Sequence, residues 1–464
     1  MRPDRLENQA KLEELRTQIA QITREVIQLA GKRKAVAREV GKVKDLKSLP
    51  TEDDAVEDAL VREVIAECDR VGLERRSGLK LLSVLLAESK RAQGMVERPT
   101  PVSVFVRALA LQRKGVKILR LDVGEPDFRP PVAVIKACSR ALFDFKTHYT
   151  EPRGIPELRS ALRSYLRGKH GFEADDEEVT VTPSGRFAVY AALSSVLGEG
   201  ESAVVIEPNW PAYREALRHL GVRTVSVRTT LEDGWTPSVD QVQKALRPNT
   251  RALVLSYPNN PTGKVITERL FREMVGLAND LELTVISDEI YNEYCHGRCP
   301  SVLRERPKRF ILTSSFSKTW AMTGFRIGYA VSSRETISAM SKMTSLMVTS
   351  VPEFIQWGAV RALGVSAEVR RHVATMRARI RAACRALDAV PSLEYSKPDG
   401  GMYLFPRIRS GESGEEFAEE LMAKGVSVTP GGAFGDYPDF FRISLCRPEK
   451  DVVDGIRRMG ELLD

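Results

Sequence analysis

The 464-residue chain has few of the side chains that hold metals or build disulfide frameworks. It contains six scattered cysteines and five histidines, and its one local cluster runs from Cys295 to Cys299. That cluster has no second pair of ligands, so a plain loop is favoured over a zinc site and no metal is predicted. The scattered cysteines fit a reducing, cytoplasmic setting.

The chain also lacks long apolar runs and long basic runs. No apolar stretch reaches the length of a membrane span, and the charged segment from Met1 to Arg16 argues against a signal peptide. The formal net charge is +8, but there is no run of five Lys or Arg residues, which speaks against nucleic acid as a partner. Small anionic substrates and a phosphorylated cofactor explain a mild basic excess equally well.

What is present is an ordinary globular composition, with 42% hydrophobic and 28% charged residues. The length allows two or three domains. Two prolines and no periodicity mark residues 94–101 as a linker. We therefore expect one domain at 1–93 and a larger one at 102–464.

The first domain is predicted to be all-helical. Apolar residues from Leu12 to Val43 recur at alternating spacings of three and four, so residues 4–45 read as one helix of about 60 Å. Shorter helices are predicted near 52–70 and 74–93. Three such helices cannot close a compact core alone, so pairing with a second copy of the chain is expected.

Arg33 falls on the apolar face of the long helix. It is either a polar residue that sets the register of helix pairing or part of a buried anion site. Lys44 lies on nearly the same face. Arg16 lies roughly 25 Å away along the helix, so it can serve the same pocket only from an antiparallel partner.

This region resembles the small all-helical chorismate mutases over about residues 12–93. The resemblance implies a dimer of interlocked chains and a site for chorismate. In that site, Arg33 and the partner chain's Arg16 would hold carboxylates. Lys44 would face the ether oxygen. The full set implied by the resemblance is Arg16, Arg33, Lys44, Asp53, Glu57, Ser89 and Gln93.

One position departs from that family. The residue before Glu57 is usually arginine there and is Val56 here. A carboxylate contact is therefore missing or supplied elsewhere. Two alternatives stay open: an active mutase, or a degenerate domain retained for dimerisation or regulation.

The second domain alternates apolar strands with helical segments, which predicts an α/β fold with a mostly parallel sheet. Ligands of such sheets bind beyond the carboxyl ends of the strands. Polar motifs follow five predicted strands, so we expect them to meet in one crevice. The predicted strands are 179–182, 203–207, 224–227, 252–256, 284–287, 309–313 and 326–331. The motifs are Ser184-Gly185-Arg186, Asn209-Trp210, Asn259 to Gly263, Asp288 to Tyr291, and Lys318.

The residue types suit a phosphorylated carbonyl cofactor with a flat ring. Lys318 lies in a hydroxyl-rich turn and can form a Schiff base, with a pKa lowered by burial and nearby cations. The helix start at 184–186 can bind a phosphate through its backbone. Ser315 and Arg326 add donors.

Other residues of the motifs suit the ring of such a cofactor. Trp210 can stack on it, and Asp288 can keep a ring nitrogen protonated. Tyr291 and Asn260 can hydrogen-bond a ring oxygen. Each has a plainer interpretation: Trp210 and Tyr291 as core aromatics, Asp288 as a helix cap and Asn260 as a turn residue. The convergence of the motifs favours the functional interpretation.

Residues 102–464 resemble the fold-type I, pyridoxal-phosphate-dependent aminotransferases of the aspartate and aromatic aminotransferase superfamily. The resemblance implies that Lys318 carries the cofactor and Arg442 binds the substrate α-carboxylate. It also implies a homodimer, in which Tyr149 reaches the phosphate of the partner's cofactor. The remaining residues implied are Ser184, Gly185, Arg186, Trp210, Asn260, Asp288, Tyr291, Ser315, Ser317 and Arg326 for the cofactor, and Gly124 and Asn260 for the substrate. A smaller, mobile domain (102–144 and 346–464) and a large domain (145–345) are expected.

Together the two resemblances predict a bifunctional enzyme of aromatic amino acid biosynthesis. It would rearrange chorismate to prephenate and transaminate prephenate, phenylpyruvate or 4-hydroxyphenylpyruvate with glutamate or aspartate. Prephenate has a second carboxylate that requires another cation, for which Arg153 is a candidate. The alternatives are an aspartate-type aminotransferase with an inactive mutase-like domain, and a non-enzymatic interaction protein that retains the fold.

Overall fold

The computed structural model describes residues 3–46, 54–92 and 100–463. The chain divides into two compact units, Met1–Glu97 and Arg98–Asp464. Within the described ranges, no helix combines the length and the apolar character needed to cross a membrane.

The described part of the first unit is helical, as predicted from the apolar spacing. α3 packs against both α1 and α2. Few apolar side chains are buried by this packing, among them Ala37, Cys68 and Leu82. The helices are α1 (Pro3–Leu46), α2 (Asp54–Val71) and α3 (Arg75–Ala92).

The apolar face of α1 stays open to solvent in the single chain. Ile19 is 65% exposed, Ile22 59% and Leu29 62%. A continuous exposed apolar surface of this kind usually marks an interface with another molecule. The long helix therefore lacks a partner for its most apolar side within one chain.

The second unit is an α/β fold. Its helices are α4 (Pro101–Arg113), α5 (Val132–Phe143), α6 (Pro156–His170), α7 (Gly185–Val196), α8 (Ala212–His219), α9 (Val239–Ala245), α10 (Glu268–Asp280), α11 (Val302–Glu305), α12 (Arg334–Val348), α13 (Glu353–Leu363), α14 (Ala367–Leu387), α15 (Gly414–Ala423) and α16 (Glu449–Leu463). Its strands are β1 (Leu119–Arg120), β2 (Val179–Thr182), β3 (Ser202–Glu207), β4 (Arg223–Arg228), β5 (Thr250–Ser256), β6 (Thr284–Asp288), β7 (Phe310–Ser315), β8 (Gly328–Ser332), β9 (Leu393–Glu394), β10 (Tyr403–Leu404), β11 (Arg407–Ile408), β12 (Val426–Ser427), β13 (Thr429–Pro430) and β14 (Phe441–Ser444).

The main sheet has seven strands in the order β2-β8-β7-β6-β5-β3-β4. β8 is antiparallel to β2 and β7, whereas the neighbouring pairs among β7, β6, β5, β3 and β4 are parallel. The prediction of a mostly parallel sheet is confirmed, and the seven predicted strands begin and end within two residues of the observed ones. They were visible in the sequence because strands buried on both faces read as apolar runs.

Helices cover both faces of this sheet. Apolar side chains of α7, α8 and α12 pack on one face, and those of α6, α9, α10 and α13 pack on the other. A separate apolar cluster lies among α14, α16, β10 and β14. The loops that follow the carboxyl ends of the parallel strands lie at one edge of the main sheet.

The cysteines differ from the expectation. Cys295 and Cys299 are joined by a disulfide, a pairing that the sequence analysis did not predict. The other four cysteines are free and buried.

Candidate active site

The carboxyl ends of β2, β3, β5, β6 and β7 carry the five polar motifs. These strands run in one direction, so their carboxyl ends lie at one edge of the sheet. β8 runs the other way, and Gly328 at its start pairs with Ser315 at the end of β7. The segment 316–327 between them is therefore held at that same edge, together with Lys318 and Arg326.

Two glycines bring backbone amides together at the start of α7. A Cβ atom on Gly185 would lie 3.0 Å from Ser315 Cβ, and one on Gly328 would lie 2.7 Å from the Gly185 amide nitrogen. Ser184 caps the helix by accepting a hydrogen bond from the Phe187 amide. A helix start open to the edge of a sheet suits an anion such as phosphate.

The hydroxyls and the arginine predicted for this phosphate lie beside the helix start. Ser315 Oγ accepts a hydrogen bond of 3.1 Å from the Ser317 amide. Arg326 is exposed and donates to the Thr323 carbonyl at 2.6 Å. Both serines are buried, so the arginine is the member of this group that can turn toward a ligand.

Lys318 follows β7 and lies partly buried. Its amine donates a 2.5 Å hydrogen bond to the carbonyl of Gly124. Burial lowers the pKa of Lys318, and the positive charges of Arg442 and Arg326 lower it further. This is the direction expected from the sequence, and it favours the neutral amine that a nucleophile or proton carrier needs.

Asp288 ends β6 and is buried. Its carboxylate accepts hydrogen bonds from the Tyr213 hydroxyl at 2.7 Å and from the Ile290 amide at 3.3 Å. Burial raises the pKa of Asp288 to about 6, and these two bonds oppose the rise. A helix cap would bond only to backbone amides nearby in the chain. The hydrogen bond from Tyr213 on α8 is therefore not explained by the helix-cap interpretation of Asp288. Sequence reasoning missed Tyr213, whose only signal was its position three residues after Trp210.

Arg442 lies on β14 and is 2% exposed. It donates to Asn260 Oδ1 at 2.9 Å and to the Asp122 carbonyl. Its Nε has no hydrogen-bond partner in the described part of the chain. A buried guanidinium nitrogen without a partner is costly, so this donor suits a bound carboxylate. Because the side-chain oxygen of Asn260 accepts from Arg442, its amide nitrogen is the atom that would donate to the predicted ring oxygen.

The predicted aromatic residues occupy different surroundings. The Tyr291 hydroxyl lies 2.7 Å from that of Tyr403, a residue that sequence reasoning did not select. The guanidinium of Arg186 lies 4.7 Å from the ring centre of Trp210. Tyr149 is 85% exposed, so within one chain it does not join the buried group.

The predicted chorismate residues are only partly assembled within one chain. Arg33 donates to the Leu85 carbonyl at 2.6 Å and to the Ser89 hydroxyl. Lys44 and Glu57 are partly buried. Arg16 is exposed, is paired with Glu13 at 3.2 Å and lies on α1 with Arg33. Asp53 and Gln93 lie outside the described residues.

The residues at the sheet edge fit pyridoxal phosphate. The glycine-lined helix start leaves its amides free of side-chain obstruction, which suits the phosphate. The buried carboxylate of Asp288 suits a protonated ring nitrogen, and the amine of Lys318 has the lowered pKa that suits attack on a carbonyl. These features come from separate strands and share one site.

Comparison with known proteins gives two family matches. The family model described as aminotransferase class I and II matches residues 116–458. The model described as chorismate mutase type II matches residues 15–94. The two matches do not overlap.

Individual relatives agree with the longer match. An aspartate/prephenate aminotransferase of Thermus thermophilus is 34% identical over 381 residues, covering 81% of this chain and 98% of the relative. An aspartate aminotransferase of Pyrococcus horikoshii is 30% identical over 379 residues, covering 80% and 96%. A solved Thermus thermophilus aspartate aminotransferase with maleate has a TM-score of 0.77 at 34% identity and covers 81% and 99%.

Proposed function

The chain belongs to the class I and II aminotransferases and carries a chorismate mutase domain before them, and from this premise we propose that it forms prephenate from chorismate and then transaminates it. The amino donor is glutamate or aspartate, and the product is arogenate. The family matches support isomerase and transferase activities in one chain. The choice of prephenate as the keto acid is part of our proposal.

The observation that carries the transaminase proposal is the meeting of Lys318 and Asp288 at one edge of the main sheet with Arg442, which lies on β14 and contacts Asn260 at that edge. Bound pyridoxal phosphate supplies an electron-withdrawing ring. Arg442 holds the α-carboxylate through its unpartnered Nε and orients the α-carbon. The amine of Lys318 moves the proton at that carbon, and the carboxylate of Asp288 keeps the ring nitrogen protonated.

The remaining residues of the edge hold the cofactor. The start of α7 at 184–185, with Ser315, Ser317 and Arg326, holds the phosphate. Trp210 would stack on the ring, and Tyr291 and Asn260 would donate hydrogen bonds to the ring oxygen. The partner chain's Tyr149 completes the phosphate site. The high exposure of Tyr149 in one chain supports that assignment.

We keep the predicted domain division as part of this proposal. Residues 94–101 link the two catalytic parts. A small mobile part (102–144 and 346–464) closes over the large part (145–345). The separate apolar cluster of α14, α16, β10 and β14 supports this division from α14 onward, whereas α13 packs on the main sheet.

Arg186 is the cation that fits a second carboxylate better than Arg153. Arg153 is 3.8 Å from the Asp176 carboxylate, donates to the Asp176 carbonyl and lies 4.0 Å from Glu151. The side chain of Arg186 is half exposed beside Trp210, and among the described residues it pairs with a single carboxylate, that of Glu215 at 3.7 Å. Prephenate, glutamate and aspartate all carry two carboxylates.

For the mutase reaction, Arg33 and the partner chain's Arg16 hold the carboxylates of chorismate. Lys44 would face the breaking ether bond, and Gln93, which lies outside the described residues, is assigned the same role. The rate comes from holding a compact conformer and stabilising charge at that bond. The exposed apolar face of α1 supports a homodimer in which the partner supplies Arg16.

The test uses the cofactor-loaded chain with chorismate and nitrogen-15-labelled glutamate or aspartate, and identifies products by mass. We expect labelled arogenate. Lys318→Ala should stop at prephenate. Arg33→Ala should leave chorismate unconsumed but still transaminate added prephenate.

The outcomes separate the alternatives. Labelled phenylalanine without arogenate would replace prephenate by phenylpyruvate as the acceptor. Unchanged chorismate with active transamination would favour an inactive mutase domain, and Val56→Arg would then be the variant to examine. A chain without either reaction would contradict the proposal.

A further inference from the structure

Tyr403 is buried on β10 and touches three parts of the proposed site. Its hydroxyl lies 2.7 Å from the Tyr291 hydroxyl. Its ring centre lies 4.5 Å from the guanidinium carbon of Arg442. A Cβ atom on Gly124 would lie 1.8 Å from the Tyr403 hydroxyl oxygen. The Gly124 backbone, whose carbonyl accepts from Lys318, therefore passes directly over the Tyr403 hydroxyl.

We propose that Tyr403 is a positioning residue that fixes the direction of the Tyr291 hydroxyl proton and the orientation of Arg442. This inference rests on the proposed transaminase function. It assigns separate tasks to two parts of one side chain. The hydroxyl acts through Tyr291, and the ring acts through Arg442.

The hydroxyl argument follows from counting protons. Burial raises the pKa of both Tyr291 and Tyr403, so both are neutral phenols at neutral pH. Each phenol donates one hydrogen bond. If Tyr291 donates to the cofactor's ring oxygen, the proton between the two tyrosines belongs to Tyr403. Accepting that bond makes Tyr291 a stronger donor, because linked hydrogen bonds polarise one another.

The ring argument concerns the guanidinium of Arg442. It is flanked by the rings of Tyr403 and Phe434, at 4.5 and 4.9 Å. Asn260 accepts from one terminal nitrogen, and the Asp122 carbonyl and the Thr429 hydroxyl accept from the other. The two rings restrict the plane of the guanidinium, so its unpartnered Nε points in a fixed direction. A phenylalanine at 403 keeps this restriction, and a leucine loses it.

The experiment compares Tyr403→Phe and Tyr403→Leu in the cofactor-loaded chain. The matched control is Tyr395→Phe, because the Tyr395 hydroxyl lies within hydrogen-bond distance of the Asp388 carboxylate and the Cys384 carbonyl, outside the proposed site. Two quantities are measured: the pH midpoint of the visible cofactor band, and the steady-state KM and kcat for the amino donor.

We expect Tyr403→Phe to raise the pH midpoint by about half a unit. A weaker donor at the ring oxygen leaves more negative charge there, which retains the neighbouring proton to higher pH. KM should stay within about twofold of wild type in this variant. Tyr403→Leu should show the same shift and also raise KM by roughly 3- to 30-fold, the range of a lost cation–π contact.

An unchanged midpoint in Tyr403→Phe would overturn the proton assignment, because the bond would then run from Tyr291 to Tyr403. An equal shift in Tyr395→Phe would overturn it as well. An unchanged KM in Tyr403→Leu would overturn the role of the ring. A wild-type chain without a titrating cofactor band would contradict the proposed function instead.

Discussion

Asp288 is held in the folded chain with a pKa of about 6 because it is buried, despite hydrogen bonds from Tyr213 and Ile290. A carboxyl group in the unfolded chain titrates near 3.9. Between these values the folded state binds the additional proton, so stability falls as pH rises from about 4 to 6 and stays lower above. The chain therefore retains a carboxylate here at a cost in stability.

We predict that Asp288→Asn stabilises the cofactor-free protein at pH 8, by an amount on the order of 2 kcal/mol. At pH 4.5 the gain should be smaller, roughly a third as large, because most of the loss of stability caused by Asp288 develops between pH 4.5 and 6. Transaminase activity should be lost. Thermal melts at both pH values test this, with the exposed Asp280→Asn as control. Equal shifts at the two pH values would contradict burial as the cause.

We proposed that Arg186 binds the second carboxylate of the substrate, and a substitution at this position tests that role. We predict that Arg186→Leu raises KM for prephenate roughly 10- to 100-fold, the range of a lost charge-assisted hydrogen bond. KM for phenylpyruvate, which lacks the second carboxylate, should change little. Steady-state kinetics with both keto acids give the ratio of the KM for prephenate to the KM for phenylpyruvate.

Arg153→Leu is the matched control, because Arg153 is engaged by Asp176. It should leave the ratio of the two KM values unchanged. If Arg153→Leu alters the ratio and Arg186→Leu does not, Arg153 takes the role and Arg186 does not.

At the scale of elements, the sequence predicted the strands of the main sheet and their convergence. Each of those strands is an apolar run followed by turn residues, and parallel strands end at one edge. The two-residue strands, such as β9 and β11, carry too few side chains for a periodic pattern. Their positions depend on tertiary packing.

The site was predictable where residue type and strand position coincide, as for Lys318 and Asp288. Tyr213 and Tyr403 were missed for a physical reason. Each contacts its site neighbour across 75 and 112 residues of chain respectively, and a tyrosine in an apolar segment has no local feature that separates it from a core aromatic. Only the folded arrangement reveals such contacts.

The helix α1 shows a different limit of prediction from sequence. Its apolar spacing predicted a long helix, and the helix is present. The spacing also indicated a partner, and the exposed Ile19, Ile22 and Leu29 retain that requirement in the single chain. Periodicity identifies the surface to be buried, but not the residues that cover it.

At the scale of the whole molecule, the proposed mutase site requires two chains. Arg16 and Arg33 lie on one continuous helix, roughly 25 Å apart. Arg16 is exposed and, within the described ranges, pairs with the nearby Glu13, whereas Arg33 donates to the Leu85 carbonyl and the Ser89 hydroxyl of α3. One chain therefore cannot bring both guanidinium groups to one chorismate molecule.

This separation predicts complementation between two inactive variants. Arg16→Ala and Arg33→Ala should each lose most mutase activity, because each leaves a carboxylate without its arginine.

A mixed dimer contains one site with Arg33 from one chain and Arg16 from the other. After the two variants are unfolded and refolded together, about half of the dimers should be mixed, and each should have one intact site, so about a quarter of the wild-type activity should return. Loss of chorismate absorbance measures it. A mixture of Arg33→Ala with the aminotransferase variant Lys318→Ala, which keeps both arginines, is the positive control for refolding and should show about half of the wild-type activity. If both variants are inactive alone and folded, and the mixture is no more active than either, the two arginines serve the same chain or different tasks, and the shared site is excluded.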